Sequence, residues 1–152
     1  MNQKQKSQST VLTMFNDSFD EFVDTIVGWF PNDADILMTK TFLSLMRKSN
    51  PKLLVKAWYT YVYTKYSTAI ETGNISFFIE KDYQEDLFDN PDSDKIINAI
   101  QRLRLTIRNL PEEYLGKVIL HLKLLNNLCN SYTFGLKIPE KNVIENCNVS
   151  LI

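Results

Sequence analysis

From Phe15 to Phe30, apolar side chains recur at Phe15, Phe19, Phe22, Val23, Ile26, Trp29 and Phe30, the spacing that lines one face of a helix. Pro31-Asn32 ends that run, and Asn32 or Asp33 can cap a second helix traced by Leu37, Met38, Leu45 and Met46. Ser49-Asn50-Pro51 is the sharpest boundary. Asn50 suits a cap, and Pro51 suits a first helical position, where no backbone N–H is needed. The third helix is predicted to run to about Glu71, with Leu54, Val55, Trp58, Val62 and Ala69 on one face and Gly73 as a left-handed stop. Tyr63 is expected off that face, towards Lys52 and Lys56. A fourth helix should start near Ser93 and repeat as Ile96, Ile100, Leu103, Ile107 and Leu110. Pro111 opens a fifth, with Glu112 and Glu113 where the helix dipole favours acids. That fifth helix is apolar nearly all round from Tyr114 to Leu128, which predicts a central position.

The remaining stretches lack a helical period. Residues 1–10 are polar and read as a flexible N-terminal arm, leaving residues 11–152 as one helical domain with an extended tail from about 131. Ile75 to Ile79 reads as a short buried extended segment. Asn142 to Ile152 alternates, with Val143, Cys147, Val149 and Leu151 between polar neighbours. It could pair with Ile75–Ile79 or await a strand from another chain. The expected fold is mainly α: five helices in an orthogonal or bundle-like arrangement, with room for a minor β element at 75–79 and 142–152.

Composition supports this. The 152 residues are 44% hydrophobic, with 9 Phe, 7 Tyr and 2 Trp, enough for a single core, while only 4 Gly and 5 Pro disfavour an all-β fold with many tight turns. No signal-peptide core follows the first residues, and no run of 18 apolar residues occurs. A cytoplasmic location is therefore expected, with no membrane partner. The two cysteines, Cys129 and Cys147, suit reducing conditions.

A net charge of -1 conceals four blocks. Residues 11–35 carry Asp17, Asp20, Glu21, Asp24, Asp33 and Asp35 and no base, and residues 36–70 carry Lys40, Arg47, Lys48, Lys52, Lys56 and Lys65 and no acid. Residues 71–94 are acidic and residues 95–123 basic. Either helices of opposite sign pack side by side, or the alternation makes a dipolar surface that orients protein partners. A third reading is a nucleic-acid site built from Arg47, Lys48, Lys52 and Lys56, with Arg102, Arg104 and Arg108, provided these share one face.

Catalytic candidates are few. His121 is the sole histidine and lies eight residues, about 12 Å along a helix, from Cys129, too far for a Cys–His pair on that element. It reads as a core-edge residue. One histidine and two cysteines fall short of a four-ligand zinc site. Asp82, Glu85, Asp86 and Asp89 would share a face if helical and could hold a divalent ion, but solvated acids are the commoner meaning of such a run. No phosphate-binding glycine loop or nucleophile elbow is present, and no cofactor is expected.

Phe30-Pro31-Asn32, Ser49-Asn50-Pro51-Lys52 and Phe77-Phe78-Ile79-Glu80-Lys81-Asp82-Tyr83 follow one another in an order that resembles small helical proteins of nucleocytoplasmic large DNA viruses. The resemblance covers residues 15–90 and brings no catalytic residue with it. It implies a virion or minor capsid component, located in host cytoplasm or particle. The expected function is thus non-enzymatic protein–protein interaction with capsid proteins or with itself, through Arg47, Lys48, Lys52, Lys56 and Tyr63 and the alternating Val143, Val149 and Leu151. Nucleic-acid binding through the basic helices and an enzyme with an unfamiliar carboxylate site are the alternatives.

Overall fold

The computed structural model describes residues 3–74, 76 and 91–135. Five helices account for nearly all of them: α1 (Gln3–Trp29), α2 (Ala34–Ser49), α3 (from Leu53 to Glu71), α4 (Pro91–Ile107) and α5 (Glu112–Phe134). The expected segments at 75–79 and 142–152 lie outside these residues except for Ser76, as do Asp82, Glu85, Asp86 and Asp89.

The helix ends follow local chemistry. Asp33 accepts the Ile36 N–H at 3.2 Å and caps α2. Gly73, at φ +78°, ends α3. Its N–H reaches the Ile70 carbonyl, and the Asn74 N–H reaches that of Ala69, the paired bonds of a left-handed helix stop. Asn50 behaves differently from expectation. It terminates α2 through its N–H to Met46, and its backbone carbonyl, not its side chain, accepts from Leu53.

Two boundaries need correction. The arm expected over residues 1–10 is helical from Gln3, because Gln and Lys propagate a helix well and Val11, about two turns further on, is buried. At the other end, α5 continues past residue 131 to Phe134. Ser131 is buried, and Gly135, at φ +69°, supplies the left-handed stop.

At the centre α1 packs along α5, its largest contact. Phe22 stacks on His121 at 5.2 Å and Trp29 meets Tyr114 at 4.9 Å, so seven residues forward along α1 is seven back along α5. The two helices run antiparallel. Phe15, Phe19 and Trp58 meet at 5.8–6.3 Å, with the indole edge-on to both rings, a favoured aromatic geometry. These rings are fully buried. Each such side chain contributes about 2–3 kcal/mol of transfer free energy.

The third helix holds a feature that the period did not predict. Tyr59–Tyr63 form a π turn in which the Thr64 N–H reaches back five residues to the Tyr59 carbonyl. The extra residue turns the later part of the helix by about 100° relative to an uninterrupted α-helix. Ile70, not the expected Ala69, therefore joins the core. Tyr63 is likewise carried away from the Lys52–Lys56 side towards α5.

Candidate interaction surface

The acids of α1 face the bases of α2. Arg47 bonds Asp17 at 2.7 Å and also Asp20, and Lys40 bonds Asp24 at 2.8 Å. The pairs step forward along α1 and backward along α2, a seam between antiparallel helices. Burial works against the Arg47 charge, but its hydrogen bonds to the two aspartates hold its pKa above the ordinary value. The first two charge blocks thus meet across a helix pair. Arg47 is committed within the fold.

Lys48, Lys52 and Lys56 are exposed, with no acidic partner among the described residues. The second basic group does not form one surface. Arg104 is buried and donates from Nε to Gln101 at 3.1 Å, whereas Arg102 borders a groove with Asp33 and Asp35. Val143, Val149 and Leu151 lie outside the described residues.

Tyr63 is part of the inter-helix packing. Its hydroxyl donates to Asn130 Oδ1 at 2.9 Å, and its ring stacks on Tyr59 at 5.5 Å, with Phe134 against both. Close by, Trp58 Nε1 donates to Asn126 Oδ1 at 3.0 Å, and Asn126 Nδ2 donates to Ser67 Oγ at 3.2 Å. The Ser67 hydroxyl donates in turn to the Tyr63 carbonyl, and Thr64 Oγ1 donates to that of Thr60. Side chains thereby supply acceptors and donors around the π turn. Beside it lies a cleft of about 240 Å³ bordered by Tyr63, Glu71, Lys123, Asn126, Asn127 and Asn130. The sequence did hold a signal for this site: Asn126 and Asn130 fall among the leucines of a largely apolar helix, and an amide buried there, as Asn126 is, needs partners.

Of the two residues singled out for nucleophile or base chemistry, Cys129 lies in the core and His121 is half-buried at its edge. Burial pushes His121 down to about 4, so the ring is neutral against Phe22. Burial pushes the Cys129 thiol up to about 12, and its sulfur lies 3.7 Å from the Val55 carbonyl. Among the described residues no three His, Cys, Asp or Glu side chains converge to hold a metal. No described helix is long and apolar enough to cross a membrane.

The remaining feature is on α2. The sequence traced this helix by Leu37, Met38, Leu45 and Met46, but the structure buries Ile36, Thr39 and Leu43 against α1 and α4. Leu37, Met38 and Leu45 point outward at 41%, 61% and 61% exposure. With Thr41 and the half-buried Phe42 they form one continuous shallow apolar face. Comparison with known proteins finds no match: no family model, curated protein or solved structure aligns with this chain.

Proposed function

We propose that this protein works by binding other proteins and carries out no chemistry of its own. The observation that supports this reading is the outward face of α2. Scattered exposed apolar residues are ordinary, but contiguous apolar area on a helical face mainly serves interaction. Leu37, Met38 and Leu45 are contiguous and are rimmed by charged residues, Lys40 on one side and Lys48 at the end. The enclosure of Cys129 agrees with the same reading, since its thiol is not presented to solvent.

The sequence resemblance to proteins of large DNA viruses would place this activity in a virion, with capsid components or further copies of the chain as partners. The test uses the double variant Met38→Lys, Leu45→Lys in the native source. It should fold as stably as the wild type, because both side chains are already solvated, yet leave the complexes or particles that the wild type enters. Identical sedimentation of wild type and variant as free chains in source extracts would remove the reading.

A further inference from the structure

We propose that the outward face of α2 binds a second copy of itself, the two helices lying antiparallel about a two-fold axis that passes between Thr41 and Phe42. This deepens the interaction reading above and rests on it. In such a pairing the same patch serves both copies, so its residues must be complementary to themselves read backwards. The face meets this condition. Met38 lies opposite Leu45 of the second copy, and Leu45 opposite Met38 of the second copy. The two most exposed apolar side chains of the patch therefore cover each other twice.

The centre of the patch suits close approach. Thr41 is small for a contact position, and its hydroxyl already donates to the Leu37 carbonyl at 3.1 Å, so covering it strands no polar group. Charge selects the direction. The first turn of α2 holds Asp35, and its last turn holds Lys48, while its neighbour Arg47 is engaged by Asp17 and Asp20. Antiparallel pairing brings the acidic turn of each copy to the basic turn of the other and opposes the two helix dipoles. Parallel pairing would set Lys48 beside Lys48. Lys40, on the flank, is tied to Asp24. An unrelated partner would not require this backward symmetry of Met38 with Leu45 and Asp35 with Lys48.

One helix pair is smaller than a standard stable interface, so the association should be weak and concentration-dependent. Sedimentation velocity of the full chain, from about 1 µM to about 1 mM, should show a monomer passing into a dimer. Met38→Lys with Leu45→Lys should abolish it. Lys48→Glu alone, or Asp35→Lys alone, should raise the dimer Kd about tenfold, since two attractive pairs become repulsive. Combining the two swaps should return Kd to within about threefold of wild type. Circular dichroism of each variant checks that the helices persist.

The thiol introduced by Thr41→Cys, beside the axis, should form a disulfide between copies on mild oxidation, with Cα atoms within about 7 Å. A wild type that stays monomeric throughout overturns the proposal. So does a disulfide from the introduced thiol to Cys147 of the same chain, which would make the chain's own C-terminal stretch the occupant. If the monomer persists but Met38→Lys with Leu45→Lys still removes the protein from its native complexes, self-pairing fails and the interaction reading stands. If neither effect is seen, both fail.

Discussion

The bond between Trp58 and Asn126 allows a quantitative test of how the π turn is held. Asn126→Leu keeps the side chain near its original volume but removes the acceptor for Trp58 Nε1, on an indole with no solvent exposure. An orphaned buried donor costs about 1–3 kcal/mol. Ser67 loses a donor at 3.2 Å but keeps its bond to the Tyr63 carbonyl, so its share is smaller. The expected loss is about 2–3 kcal/mol, which for a chain of this size lowers Tm by about 4–12 °C. Urea titration followed by far-ultraviolet circular dichroism measures it. Trp58→Phe alone should also destabilise, through the unpaired amide and a small void. The double variant should be at least about 1 kcal/mol more stable than the sum of the single losses predicts, because the two groups share one bond. A variant at Asn126 as stable as wild type, or additivity within about 0.5 kcal/mol, would refute this account.

Three further outcomes follow from the same geometry. His121 has a folded pKa of about 4 against an ordinary 6.5, so the unfolded chain takes up the proton first as pH falls. Stability should decline between about pH 6.5 and 4, by up to about 3 kcal/mol, with no further loss from this group below that window. His121→Phe keeps a ring against Phe22 and should flatten the decline; an unchanged slope in urea midpoints against pH would contradict it. Cys129, with its thiol at about 12, should resist alkylation at neutral pH until denaturant is added, and peptide mapping that finds fast native labelling at this site would disprove its enclosure. Arg47→Met should cost only about 1 kcal/mol, because the pairs with Asp17 and Asp20 are partly exposed, and the difference from wild type should shrink at about 1 M salt. A loss that ignores salt would point to packing instead.

The five helices were legible because their apolar residues keep a helical period and because Pro31, Gly73 and Pro111 punctuate it. The charge blocks also carried real information: the acids of α1 and the bases of α2 do meet. Three features escaped the pattern for physical reasons. A π turn has no strong local code; it accompanies the match of Trp58 to Asn126 and Tyr63 to Asn130 on another helix, and the displacement of Ala69 by Ile70 follows from it. On α2, apolar residues occupy two faces, and periodicity cannot say which one the neighbours cover. Here Ile36 and Leu43 are covered, and Leu37 and Leu45 are not. Tyr63 faces α5 and not Lys52 and Lys56 because it lies within the wide turn, where the winding departs from the α-helical angle per residue.

The wide turn in α3 also fixes the heading of the chain beyond it. Because the additional residue sits inside a helix, where no loop can absorb it, Ile70 and Gly73 lie about a quarter of a revolution from where an unbroken α-helix would place them. Removing one residue between Tyr59 and Tyr63 would restore α-helical winding and leave Ile70 facing the core, whereas tightening the turn without a deletion would swing Ile70 out and Ala69 in. One additional residue is therefore a phase shift written into α3, and it sets which side chains after Tyr63 meet the core.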